Sequence, residues 1–85
     1  MEYVVIAFRS RSDTVKFAEF LRDYNISVEI VGTPKEAGVG CGLSVKTGKF
    51  FLPSVKKAIS IFGYKSFAGV FLVSVSAGKR QIRII

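Results

Sequence analysis

The chain has 85 residues, 49% of them hydrophobic, and carries thirteen Lys and Arg against six Asp and Glu for a formal net charge of +7. That size limits it to a single domain over residues 1–85, and eight Phe and three Tyr supply too much apolar volume for a disordered chain. A single Cys excludes an internal disulfide, a two-Cys redox motif and a thiolate zinc cage, and the absence of His removes the commonest general base and metal ligand, so neither a metal nor a cofactor is expected.

Tyr3 to Phe8 (YVVIAF) is a continuous β-favouring apolar run and predicts a first strand covered on at least one face by helices. Ser10, Ser12 and Asp13 offer N-cap oxygens. Thr14, Phe17, Ala18, Leu21 and Tyr24 then recur at helical spacing and predict a first helix from about Arg11 to Tyr24. Asn25 suits the left-handed residue that ends a helix, and Ile26 can pack back on the last turn. From Ile26 the period changes to two, with Ile26, Val28 and Ile30 on one side, which predicts a second strand.

Gly32 to Gly40 (GTPKEAGVG) has turn chemistry throughout, and the alternation of Leu43 and Val45 with Ser44 and Lys46 predicts a third strand. Hairpin loops more often hold about two to five residues. The length of this one calls for either a functional or a structural reason. Pro53 and Gly63 bracket a second helix whose Val55, Ala58, Ile59 and Phe62 share a face. Gly69 to Val75 (GVFLVSV) reads as a fourth strand, and Gln81 to Ile85 as a short extra strand at a sheet edge. The apolar run from Phe67 to Val75 is about half a membrane span, and the N-terminus carries no basic leader pattern, so a cytoplasmic protein is expected.

Strand, helix, strand, strand, helix, strand is the order of a ferredoxin-like α+β sandwich (βαββαβ, split βαβ), an antiparallel sheet with two helices on one face. In that topology the third strand lies between the first two. The start of the third strand, with Cys41, must therefore approach Phe8, Arg9, Ser10 and the N-terminus of the first helix. Thiols beside helix N-termini or Lys and Arg ionise more readily than free thiols, which predicts an activated Cys41. Glycines at 38, 40 and 42 leave backbone N–H groups unshielded, able to hold a sulfur anion. Against this stands the reading of Cys41 as a small buried hydrophobe, of Pro34 and Lys35 as turn formers, and of Ser10 as a helix cap. Lys56 and Lys57 read as a solvated face.

The run FRSRSDTVKFAEFLRDYNISVEI followed by TPKEAGVGCGLSV resembles the selenium/sulfur carrier protein-like family of small bacterial single-cysteine proteins. The resemblance spans about Tyr3 to Val75 and is most specific at Pro34, Cys41 and Gly42, supported by Ser10. Where that family has Arg after the proline and Ser before the cysteine, this chain has Lys35 and Gly40. The resemblance implies that Cys41 accepts sulfur or selenium as a persulfide or selenopersulfide from a cysteine desulfurase or a selenocysteine lyase and passes it to an acceptor enzyme. Arg9, Ser10, Pro34, Lys35, Gly40 and Gly42 would then form its surroundings. Such a carrier needs a reactive thiol, donors for the anion and a docking surface, whereas an enzyme would also need a base, a second nucleophile or a metal. The expectation is a carrier, not an enzyme.

Other readings use the same residues differently. A non-catalytic regulatory or protein-interaction module would bind a small anion in the long loop and form a homodimer through the exposed edge strand. An RNA-recognition module shares the strand order, yet the third strand, GLSVK, lacks the aromatics on which bases stack, so nucleic acid is not the expected partner. A heavy-metal carrier would want two cysteines for a soft ion.

Overall fold

A computed structural model describes residues 1–85. Its elements are β1 (Glu2–Phe8), α1 (Arg11–Asp23), β2 (Val28–Gly32), β3 (Leu43–Gly48), α2 (Leu52–Phe62), β4 (Phe67–Ser76) and β5 (Lys79–Ile84). Single 3₁₀ turns at Lys35–Ala37 and Lys49–Phe51 precede β3 and α2. The five strands form one antiparallel sheet in the order β2-β3-β1-β4-β5. This is the α+β arrangement expected from the sequence, with β3 between β1 and β2 and a fifth strand added outside β4. The fifth strand pairs within the chain, Phe71 opposite Ile84 and Ser76 opposite Lys79, across a two-residue turn at Ala77 and Gly78 with φ of 52° and 76°.

One face of the sheet carries the main core. Val4, Ile6 and Phe8 of β1, Val45 of β3, and Val70 and Leu72 of β4 pack on Phe17, Ala18 and Leu21 of α1 and on Val55 and Ala58 of α2. Each fully buried side chain of this size stabilises the fold by about 1.5 to 3 kcal/mol. Phe8, at the end of β1, anchors an aromatic cluster, with its ring centroid 5.2 Å from Phe17, 5.5 Å from Tyr64 and 6.0 Å from Phe67.

Successive strand residues point to opposite faces, and β1 is buried on both: Val5 and Ala7 are as inaccessible as Val4 and Ile6. Phe71 and Val73 of β4 are buried with them on the face away from the helices. The segment between β2 and β3 covers this second face. Thr33 and Ser44 share a hydroxyl hydrogen bond of 2.6 Å, Pro34 is buried, and Glu36 forms a two-pronged ion pair with Arg80 of β5 at 2.7 and 3.0 Å. The unusual length of the connection thus has a structural reason. It also explains Ser44, which alternation puts on the polar side of β3 and which is fully buried here beneath Thr33.

The C-terminal end of α1 follows from its sequence. Asn25 takes φ of 62°, its N–H donates to the Arg22 carbonyl, and the N–H of buried Ile26 reaches back to the Leu21 carbonyl at 3.0 Å. Tyr24 lies just past the helix, and the second strand begins at Val28 because Ile26 serves this cap. An alanine at position 25 would be held in a left-handed conformation that costs an L-residue about 1 to 2 kcal/mol. Asn, which tolerates that region, avoids part of this. We expect Asn25→Ala to lose about 1 kcal/mol, read as a lower urea midpoint at unchanged slope, and Asn25→Gly to leave the midpoint unchanged or raise it.

Candidate functional site

Three elements meet at Cys41. The loop is pinned to the end of β1 by its own backbone, since the Cys41 N–H donates to the Phe8 carbonyl at 3.0 Å and the Thr33 N–H to the Gly42 carbonyl at 2.9 Å. Gly40 makes the close approach possible. Its φ is 100°, and a Cβ there would stand 3.3 Å from the Phe8 carbonyl oxygen and 3.7 Å from the Ala7 Cβ. The thiol is half-buried. Its sulfur lies 3.6 Å from the Leu43 carbonyl oxygen and 3.8 Å from the Thr14 hydroxyl in the first turn of α1.

Ser10 caps α1 with its hydroxyl oxygen, which accepts from the Asp13 N–H at 3.2 Å, while its carbonyl accepts from the Thr14 hydroxyl at 3.0 Å. The single hydroxyl hydrogen of Thr14 is thereby committed, so its oxygen presents a lone pair to the thiol. For a sulfur anion at position 41 the same hydroxyl could rotate from the Ser10 carbonyl toward the sulfur. Thr14 is fully buried and is the site residue that the sequence reading missed, because it was absorbed into the apolar stripe of the helix. A hydroxyl on a core-facing stripe, four residues after an N-cap, was the available signal.

The other sequence-derived residues divide by position. Gly40 and Gly42 flank the thiol, are exposed, and keep their N–H groups free of protein acceptors. The Gly38 N–H is spent on the Lys35 carbonyl, and the Cys41 N–H on Phe8, so the backbone cradle is narrower than the three glycines suggest. Pro34 is buried and initiates the 3₁₀ turn that carries exposed Lys35. Lys35, Gly38, Gly40 and Gly42 line a shallow cleft of about 280 Å³ with Thr33, Pro34 and Val39, and Cys41 is not among its lining residues. Arg9 is exposed and leans the other way, its guanidinium 3.4 Å from the Phe67 carbonyl. Asp13 tempers the positive end of α1, and its carboxylate accepts from the Ser66 hydroxyl at 2.6 Å. A larger apolar groove of about 540 Å³, lined by Phe20, Tyr24, Phe50 and Ile61 among others, lies toward the C-terminal end of α1, away from the thiol. The molecule contains no cluster of three or more His, Cys, Asp or Glu side chains that could hold a metal ion.

Two predictions follow the geometry of the loop. Gly40 and Gly42 both have left-handed φ, 100° and 97°, but a Cβ meets backbone only at Gly40. Each alanine substitution should cost about 1 to 3 kcal/mol for the strained φ, with Gly40→Ala the more damaging in urea unfolding because the Phe8 carbonyl cannot move without disturbing β1. The second prediction concerns pH. Hydrogen bonds from Arg80, followed by one from its own backbone, hold the Glu36 carboxyl below its ordinary range. A depressed folded-state value means that the clasp contributes above the unfolded value and is lost as pH falls through the folded one. Amide exchange protection across residues 33–42 should therefore drop in acid for the natural chain. Glu36→Gln should show the looser loop already at neutral pH, with little further change on acidification.

No helix of the molecule is long and apolar enough to cross a membrane. No curated protein and no solved structure matches the chain. One family model does, and it covers β1, the capped α1, Pro34, the thiol loop and α2, leaving β4 and β5 outside. That model is described as "Putative Se/S carrier protein-like" and matches residues 3–63, well over half of the chain, which therefore belongs to this family.

Proposed function

We propose that the protein is a sulfur or selenium carrier that holds a persulfide or selenopersulfide on Cys41 between a cysteine desulfurase or selenocysteine lyase and an acceptor enzyme, and that it carries the atom without catalysing a reaction of its own. The observation that carries this reading is the half-buried Cys41 thiol, fixed at the end of β1 and beside the first turn of α1 in a chain of the carrier-like family. Loading is a thiol exchange. The Cys41 thiolate attacks the outer sulfur of a donor cysteine persulfide and forms a new S–S bond. The donor's own S–S bond breaks, its electron pair leaves with the donor cysteine as thiolate, and no external oxidant or reductant enters. Delivery repeats the step with the acceptor as nucleophile.

The residues around the thiol suit each stage. The free Gly40 and Gly42 N–H groups stand beside Cys41 as donors to a terminal sulfur anion. The Thr14 hydroxyl supplies a rotatable donor from the buried side. A cysteine in the interior would serve none of these purposes, and partial exposure is what an exchange step requires. The carrier acts in the cytoplasm, where thiols stay reduced.

Incubation of the reduced protein with a cysteine desulfurase and cysteine, followed by intact mass measurement, should add one sulfur atom to the natural chain and none to Cys41→Ser. A selenocysteine lyase with selenocysteine should add one selenium in the same way. Loss of the added atom on treatment with dithiothreitol identifies it as sulfane. A natural chain that stays unmodified while its Cys41 is readily alkylated under the same conditions would sink the carrier reading.

A further inference from the structure

Thirteen cationic side chains face six acidic ones in this protein, and the only ion pairs are Lys49 with Glu2 and Arg80 with Glu36. The acids near the thiol loop are engaged, Glu36 by Arg80 and Asp13 by the Ser66 hydroxyl. The cations there are not engaged by any acid. Arg11 sits three residues before Thr14, so the face of α1 that meets Cys41 continues outward to an exposed guanidinium. Arg9 follows Phe8, but its guanidinium turns to the Phe67 carbonyl and lies outside this group. Lys35 lines a loop cleft together with Gly40 and Gly42, the two chain neighbours of Cys41. Two exposed cations, Arg11 on α1 and Lys35 on the loop, thus flank the segment that carries the one nucleophile, and the carboxylates beside them, Asp13 and Glu36, are already engaged.

Building on the carrier reading, we propose that Arg11 and Lys35 form a cationic collar that is the docking surface for the enzymes that exchange sulfur with Cys41, and that those enzymes present a carboxylate-rich surface around their reacting cysteine. Opposed charges of this kind raise encounter rates and lose their effect as salt screens them. The same cations would attract nucleic acid phosphates. However, the sheet face on which RNA-recognition modules stack bases is occupied here by the β2–β3 connection, with Val5, Ala7, Ser44 and Phe71 buried beneath it, and this favours a protein partner.

The test uses two small disulfides of opposite charge, dianionic dithiobisnitrobenzoate and dicationic cystamine. In each reaction the Cys41 thiolate attacks one sulfur, the reagent's S–S bond breaks, a mixed disulfide forms and the electron pair leaves with the other thiolate. Raising ionic strength from about 0.02 M to about 0.5 M should slow the dianion by roughly tenfold and speed the dication. Arg11→Glu/Lys35→Glu should flatten or invert both trends. Arg22→Glu/Lys57→Glu, which removes the same net charge far from the thiol, should keep them. Rates independent of salt, or equal trends in the two double variants, would overturn the collar. A poly-aspartate peptide should protect Cys41 from alkylation by neutral iodoacetamide, and stronger protection by an oligouridylate of equal charge would overturn the assignment to an acidic protein. None of these readouts needs sulfur loading. Failure of transfer to Cys41 strikes the carrier reading, whereas salt-independent rates strike the collar.

Discussion

A sheet with both helices on one side leaves its other face to be covered by something else, and in this protein that requirement governs the rest. Val5 and Ala7 of β1 and Phe71 and Val73 of β4 are apolar on the side that α1 and α2 cannot reach. A two- to five-residue hairpin between β2 and β3 would leave them wet. The chain instead spends ten residues, Thr33 to Gly42, crossing that face, and fastens the crossing by Thr33 to Ser44, Glu36 to Arg80, and Cys41 to Phe8. The thiol stands where the cover returns to the sheet. Its position is a consequence of how the second face is closed.

That origin explains the mixed character of the site. Phe8 belongs to two systems at once: its ring lies in the aromatic cluster with Phe17, Tyr64 and Phe67, and its carbonyl receives the Cys41 N–H. The backbone that holds the thiol is therefore anchored to a fully buried aromatic residue of the core, while the glycines on either side are exposed. The sulfur meets Thr14 on its buried side and solvent on the other. A group held this way keeps its position without being sealed off.

Most of the architecture was legible in the sequence because its signals are local and redundant. The continuous apolar run of β1, the Ser10 cap, the Asn25 and Ile26 ending of α1, and the Pro53 and Gly63 brackets of α2 each rest on chemistry contained within a few residues. From the strand order alone the approach of Cys41 to Phe8 and to the first helix could be inferred, and both contacts are present. What escaped depends on pairs distant in sequence. Alternation put Ser44 on the polar side of β3 although Thr33 covers it, the loop's structural purpose was hidden until Glu36 met Arg80, and Thr14 looked like an ordinary stripe residue until Cys41 was set beside it. The glycine cradle was overdrawn for a related reason: turn glycines reveal where the backbone bends, but not which amides the bend consumes.

A thiol backed by a helix on one side and by its own strand on the other can be approached from a single hemisphere. Two proteins of ordinary size cannot share that opening, so a donor and an acceptor would have to visit Cys41 in turn. On the proposed carrier reading, each departure would leave the cargo on this 85-residue chain between visits. Traffic through a carrier of that kind would be a queue, in which the partner that lingers longest on the thiol face would set the pace for the other.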